Sequence, residues 1–402
     1  MDLFKTPRLF SRNFILTFIG WFVIRFFKLK GVGLENLPKK GPYVICANHS
    51  HLLDPFFIGA LVGRPLFQMA SNEFFRKPLL GRFMWAMGAF PRKKGFSDIK
   101  SIKYAIGLVK KGHPLIIYPE GGRNWDGETL PIIRSTAKLV KLLKVPLVTV
   151  VSRGNYLAWP RWASKRRKST ITVHFSKPVL FEKDADDEEI VARIEKGIYN
   201  NDNYTEIGRI KGKDPARGLP RLLWRCPGCR VIDGLAEKDG RSIRCSCCGK
   251  EWEVNLRCAM RERGSQTWRA IKEYADLMFR AEEIVPVPDP GCPGLAAEER
   301  VYLASRRVTL FHEPRYPKLE RTGDGRLFLT DGRLVFVPGN GGEARSFRFD
   351  AILGRSTEKN TFFQFVLNDD IARFQMNEES CYKWEIVYDY IRKKAGHVTG
   401  EI

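Results

Sequence analysis

A chain of 402 residues with 44% hydrophobic content is long enough for two or three domains, each with a core of its own. Its net charge of +23 is confined to one part: residues 1–180 hold 31 Lys+Arg against 8 Asp+Glu, and residues 181–402 hold 37 of each. Nine cysteines, four in paired spacing and five scattered (Cys46, Cys247, Cys258, Cys292, Cys381), fit thiols or metal ligands in a reducing compartment and argue against a disulfide framework.

The first pattern along the chain is Phe14 to Ile24, 11 residues without a charge, between Lys5, Arg8, Arg12 and Arg25, Lys28, Lys30. As a helix it would span about 16 Å, half a bilayer core. No small-residue cleavage site follows, so an uncleaved helix lying in one leaflet is expected, with a buried helix of a soluble core as the alternative. From Tyr43 to about Leu180, short apolar runs alternate with helical periodicity, the mark of an α/β sheet covered by helices. Strands are predicted at Tyr43–Ala47, Pro114–Tyr118, Val145–Val151 and Thr170–Phe175. Helices are predicted from Asp54 to Leu61, with Asp54 as N-cap before Pro55, from Ser97 or Asp98 to Gly112, and around Leu139, Val140 and Leu143. The stretch from Glu182 to Leu219 reads as a boundary, 221–260 as a cysteine module and 266–284 as a helix with Trp268, Ile271, Ala275 and Met278. After the proline-rich linker at 286–291, a hairpin around Asp331-Gly332, strands at 346–349, 361–367 and 371–376, and a helix bearing Trp384, Val387, Tyr388 and Ile391 suggest a small helix-capped barrel.

Two loops and one pair could carry chemistry. His49 follows a strand and Asp54 opens the next helix, so a five-residue turn can bring imidazole and carboxylate together. A carboxylate on one ring nitrogen leaves the other to accept a proton, as deprotonating an alcohol requires. Helix capping would also account for Asp54, and His51 is a second candidate imidazole. The run Tyr118-Pro119-Glu120-Gly121-Gly122-Arg123-Asn124 ends a strand, where α/β folds place ligands, and Arg123 can grip a phosphate. Gly88 to Lys94 is a basic loop containing Arg92.

In order and spacing, this H-x4-D pair, the Phe-x-Arg loop at Phe90–Arg92, the Pro-Glu-Gly-x-Arg loop at 119–123 and Val145-Pro146-Leu147-Val148 resemble the glycerolipid acyltransferase family that includes 1-acylglycerol-3-phosphate acyltransferases. The resemblance covers roughly residues 30–180. It implies His49 as general base, Asp54 as its orienting partner, and Arg92, Glu120, Gly121, Gly122 and Arg123 as the acceptor-binding group. It also implies acyl-CoA or acyl carrier protein as acyl donor and a lysophospholipid as acceptor, while the flanked charge-free run and the basic N-terminal part lead to an expected peripheral or monotopic place on the cytoplasmic face of a phospholipid membrane. Two positions depart from the family, Gly122 in place of Thr and Thr149 in place of a second Pro. No G-x-S-x-G elbow is present, so direct transfer is expected without an acyl-enzyme.

Cys226-x2-Cys229 and Cys245-x2-Cys248 match a four-thiolate zinc ribbon, which predicts one structural zinc. The segment from Gly325 to Phe336 resembles a GRAM or pleckstrin-homology-like domain, which implies a lipid or protein partner. The expected architecture is therefore an α/β acyltransferase domain, a mixed sheet with flanking helices, preceded by a membrane-associated helix and followed by a zinc ribbon and a GRAM/PH-like β-barrel capped by a helix. The expected limits are 1–30 for the membrane helix, 31–205 for the acyltransferase domain, 206–220 for a linker and 221–260 for the ribbon. A connecting helix at 261–285, a linker at 286–298 and the last domain at 299–396 complete the chain. Competing readings are acyl transfer to another lipid acceptor, or a non-catalytic lipid- or nucleic-acid-binding protein. Nucleic acid is disfavoured because the basic excess and the ribbon lie in different parts of the chain.

Overall fold

A computed structural model describes residues 20–92, 98–278, 284–288, 291–315, 318–368 and 370–396. The N-terminal part builds a seven-stranded mixed sheet in the order β1 (Lys30–Val32), β7 (Thr172–Phe175), β6 (Leu147–Arg153), β2 (Val44–Ala47), β5 (Leu115–Ile117), β3 (Phe67–Ser71), β4 (Ala89–Arg92). Strands β6, β2, β5, β3 and β4 run parallel, and β6 meets β7 antiparallel. Helices cover both faces, which is why Val44-Ile45-Cys46-Ala47 is apolar throughout and fully buried. Val44 and Cys46 join one layer of core, with Leu108, Val140 and Ile194 from three helices; Tyr43, Ile45 and Ala47 join the other, with Phe57 and Ile58.

Local sequence explains most of these helices. Ile99–Lys110 starts where the Asp98 carboxylate accepts from Ser101 N. The acidic cluster read as a boundary is instead the first turn of a helix, Asp187–Ile198, capped by Asp186 and favoured by three acids at its positive end. Its Ile190, Val191, Ile194 and Ile198 are buried on the sheet. Gly197 permits that packing, because a Cβ there would lie 2.2 Å from Thr149 Oγ1.

Of the charge-free N-terminal run, residues 14–19 lie outside the described residues; residues 20–26 are helical. Val23 and Phe27 pack inward on Phe57, while Trp21, Phe22 and Phe26 are exposed at 66%, 59% and 41%. Among the described residues no helix is long and apolar enough to cross a membrane.

The cysteine module is a five-stranded antiparallel sheet, β12 (Arg269–Ala270), β11 (Ala259–Glu262), β10 (Glu251–Val254), β9 (Ser242–Cys245), β8 (Leu235–Glu237). Of the helix predicted over 266–284, residues 279–283 lie outside the described residues; among the described ones the helix is Ile271–Asp276, since residues 269 and 270 pair with β11 instead. Strand pairing satisfies backbone groups that a frayed first turn would leave to water.

The last part is a curled antiparallel sheet, ordered β17 (Arg345–Arg348), β16 (Arg333–Pro338), β15 (Lys318–Thr330), β14 (Val308–Arg315), β20 (Ile371–Met376), β19 (Phe362–Val366), β18 (Gly354–Glu358), with β13 (Val301–Ala304) also on β15. It is a half-barrel rather than the barrel expected, with β17 and β18 as its two ends. Helix Cys381–Lys394 packs Trp384, Val387, Tyr388 and Ile391 against it. One buried cluster runs from Trp125, Tyr156 and Trp162 through Trp224 and Trp252 to Phe374 and Trp384, so all three parts share a core.

Candidate active site

Parallel strands carry their carboxyl ends to one edge of the sheet, and ligand sites form where such ends converge. Here that edge gathers the turn after β2 (His49 to Asp54), the loop after β5 (Tyr118 to Asn124), the end of β4 (Arg92) and the turn after β6 (Gly154-Asn155). In the strand order β4 stands three places from β2, about 14 Å across.

His49 and Asp54 meet as predicted, with His49 Nδ1 2.9 Å from Asp54 Oδ2. The capping role expected for Asp54 is not what forms: Leu53 holds the N-cap position, and Asp54 is the first helical residue. Its carboxylate turns back into the loop, where Oδ2 accepts from Ser50 N at 2.9 Å and His51 N at 2.8 Å, and Oδ1 accepts from Asn155 Nδ2 at 2.9 Å. Burial by itself would raise the Asp54 pKa, yet the hydrogen bond and charge of His49, with His51 and Asn155, hold it below the usual carboxylate range. A carboxylate fixed as an anion on Nδ1 sets the tautomer and makes Nε2 the proton-accepting nitrogen. The His49 side chain keeps 19% exposure, and its ring stacks on Tyr118 at 4.3 Å.

His51 is a different kind of histidine. It is fully buried among Phe27, Phe57 and Trp159, its Nδ1 accepts from Leu53 N at 2.9 Å, and burial pushes its pKa down to about 4. A neutral imidazole holding a turn explains it, whereas the His49 ring is partly exposed beside the Asp54 carboxylate.

The 118–124 loop is tied to that turn. Glu120 Oε1 accepts from His49 N and Oε2 from Leu130 N at 2.7 Å, while Asn124 N donates to His49 O at 3.1 Å and Asn124 Nδ2 to Ser50 Oγ at 2.8 Å. Glu120 thus grips the His49 backbone with one oxygen. Gly121 has φ 70°, and a Cβ on it would sit 2.6 Å from Ile133 Cδ1, so the turn requires glycine there. Gly122 has nothing within 4 Å of a Cβ, so a Thr would fit. Thr149, the other departure, lies away from this edge: it is buried inside β6, donating its N–H to Ser176 Oγ, a bond that proline could not make.

Arg123 is half-buried, and burial together with Arg161 lowers its pKa to about 10, against the pull of Asp54 and Glu358. Arg92 is half-buried at the end of β4, its pKa lowered by burial against the pull of Asp98. Both remain cations at neutral pH and can receive an anion that water no longer screens well.

Two positioning groups escaped the sequence reading. Asn155, whose amide holds Asp54, stands on a turn clamped by Asp202, which accepts from Gly154 N at 2.8 Å, Tyr156 N at 3.0 Å and Asn200 Nδ2 at 2.8 Å. Their only signal in the chain was a Gly-Asn step at the end of a parallel strand.

Burial drives the Glu120 pKa up to about 8, against the backbone bonds of Leu130 and His49 that lower it. A raised carboxyl pKa means that the folded protein keeps a proton the unfolded chain releases, so its contribution to stability is present below the unfolded value and is lost as pH rises through the folded one. Glu120→Gln has no proton to release. Its stability relative to the wild type should therefore improve steadily between about pH 5 and pH 8, read from chemical denaturation at a series of pH values. A gap that does not change with pH would refute the shifted titration.

Residues 28–153 match the family model described as Acyltransferase. The chain is 29% identical over 150 residues to a 1-acyl-sn-glycerol-3-phosphate acyltransferase of Limnanthes alba, covering 37% of this chain and 53% of that protein. It is 33% identical over 160 residues to the one of Saccharomyces cerevisiae, covering 38% and 52%. The chain thus spans about half the length of the curated relatives it matches. Among solved structures, the 1-acyl-sn-glycerophosphate acyltransferase PlsC of Thermotoga maritima aligns at 22% identity and a TM-score of 0.39 over 48% of this chain and 80% of that one. His49, Asp54, Arg92 and Glu120 to Arg123 fall inside the matched family segment; the cysteine cluster and the curled sheet fall outside it.

Proposed function

We propose that this chain is an O-acyltransferase that moves a fatty acyl group from acyl-CoA or acyl carrier protein to the free hydroxyl of a lysophospholipid, with 1-acylglycerol-3-phosphate as acceptor and phosphatidate as product. The observation that carries this reading is the His49–Asp54 pair, oriented by four donors to one buried carboxylate within the segment that matches the acyltransferase family. His49 Nε2 takes the proton of the acceptor hydroxyl. The oxygen then attacks the thioester carbonyl, the C–S bond breaks, and the thiolate leaves as a thiol with the proton returned by His49. Arg123 and Arg92 receive the acceptor phosphate, while Glu120, Gly121 and Gly122 hold the loop that carries Arg123 against the His49 turn.

The four cysteines suit one structural zinc. Cys226 and Cys248 sulfurs are 3.7 Å apart, as are those of Cys229 and Cys245, and all four lie within 4.8 Å of one another. A tetrahedron with Zn–S bonds of about 2.3 Å has edges of about 3.8 Å. Gly228 and Cys229 N–H groups point at Cys226 Sγ, as a thiolate favours. Cys247 stands outside the set. The curled sheet, read as GRAM/PH-like, would meet a lipid or protein partner. Exposed Trp21, Phe22 and Phe26 beside a strongly basic part support a peripheral or monotopic place on the cytoplasmic face of a membrane.

Purified protein in detergent, given labelled acyl-CoA or acyl carrier protein and a panel of lysophospholipids, glycerol 3-phosphate and amino-lipids, tests the reading. Labelled phosphatidate from lysophosphatidate is the expected product. Transfer to another lysolipid alone would correct the acceptor, and no transfer from either donor would overturn the activity.

A further inference from the structure

The turn between β18 and β19 reaches from the curled sheet to the catalytic edge of the first sheet. It is tight, three residues joining Glu358 to its partner Phe362, with Lys359 and Asn360 both left-handed at φ 51° and 59°, as the central residues of a type I′ turn require. On one side Glu358 accepts from Ser71 Oγ at 3.1 Å, and Ser71 is the register partner of Arg92. On the other side stands Arg161, 9% exposed and stacked 4.2 Å over Trp125. Arg161 donates to Arg123 O at 2.9 Å, to Thr357 Oγ1 at 2.7 Å, to Thr357 O at 3.3 Å and to Asn360 Oδ1 at 3.2 Å, and its own carbonyl accepts from Asn360 Nδ2. The Thr357 hydroxyl in turn donates to Glu385 Oε2 at 2.8 Å on the C-terminal helix, and Arg355 bonds Glu385 at 2.6 Å. Nearby, buried Glu73 pairs with Arg373 of the curled sheet at 2.9 Å and with Arg76, which also reaches Glu313.

From this arrangement we propose that the C-terminal sheet is part of the acceptor site, and that Arg161 is the positioning residue through which its docking fixes Arg123. The inference rests on the acyltransferase reading above. A single side chain grips the Arg123 backbone and the β18–β19 hairpin at once, so neither can shift without the other. Arg161 also sets a second cation beside Arg123, and two close cations in a poorly screened pocket favour a phosphate over a neutral headgroup. Misplacement of such a clamp by about 1 Å can weaken transition-state binding by about a hundredfold. If the docked sheet only added stability, altering it would change melting and leave acceptor recognition untouched.

Thr357→Val, Thr357→Ser and Asn360→Gly separate these outcomes; glycine keeps the left-handed turn while removing the amide. The wild type is assayed first with lysophosphatidate, a phosphate-free monoacylglycerol and varied acyl donor. Thr357→Val and Asn360→Gly should each raise the KM for lysophosphatidate about tenfold, with donor KM unchanged, kcat within about twofold and the monoacylglycerol rate unaltered. Thr357→Ser, which keeps the hydroxyl, should behave as wild type. Should Thr357→Val fail to fold, Asn360→Gly alone decides. An unchanged lysophosphatidate KM in an active, folded variant overturns this inference and leaves the activity standing. Donor and acceptor constants moving together would also overturn it, and an inactive wild type sinks both.

Discussion

His49→Ala should lower turnover by about 10³-fold or more, with folding intact, because it removes the proposed base. The same loss is expected of Asp54→Asn, for a reason specific to this turn. The Asp54 carboxylate accepts from His49 Nδ1, Ser50 N, His51 N and Asn155 Nδ2. An amide turned to accept from the first three would set its NH2 against the Asn155 amide. The opposite rotamer would face His49 Nδ1 with a donor and turn the ring to the wrong tautomer. Each unsatisfied buried donor costs about 1–3 kcal/mol, so Asp54→Asn should lose stability as well as activity, whereas His49→Ala leaves the Asp54 carboxylate its other three donors and should lose less stability. Single-turnover assays beside thermal melts distinguish the two. Transfer at wild-type rates in either variant would remove the pair from the mechanism.

If the four cysteines hold the proposed zinc, its removal should have the largest effect on stability. Cys226, Cys245 and Trp252 belong to the same buried cluster as Trp162 of the first part and Trp384 of the C-terminal helix. Losing the cross-link therefore loosens the floor on which both neighbours rest. Structural zinc contributes about 10 kcal/mol or more to the folding of small modules. Even half of that would lower the midpoint by about 10–20 °C in a unit of 150–250 residues. A strong chelator, or Cys226→Ser with Cys248→Ser, should produce this shift, and elemental analysis should find one zinc per chain in the untreated protein. Metal-free protein with an unshifted midpoint would end the assignment.

Much of this molecule is legible in its sequence. The short apolar strands at Tyr43–Ala47 and Val145–Val151, the helix after Asp98 and the hairpin at Asp331-Gly332 formed where periodicity and turn chemistry placed them. Other elements escaped notice or were read otherwise, Ala89–Arg92 being a strand where a basic loop was expected. Strand β3 at Phe67–Ser71 carries Gln68 and Ser71 among its apolar residues, and β4 contains a proline, so neither has a clean strand period. The helix Asp187–Ile198 was masked by its acidic first turn, which marks a helix start only once an apolar face is known to follow.

The sequence by itself determined the chemical vocabulary: His49 five residues before Asp54, a glycine turn leading to Arg123, and two Cys-x2-Cys pairs. These are local, because a turn of five or six residues can bring its own groups together. Tertiary structure alone decided how they are used. It sealed His51 among aromatic rings, turned Asp54 from the expected cap toward Asn155, 101 residues away, and set Thr357 against Arg161, 196 residues away. Contacts at such separation leave no periodic trace, since each partner is selected by a packed surface assembled from distant segments.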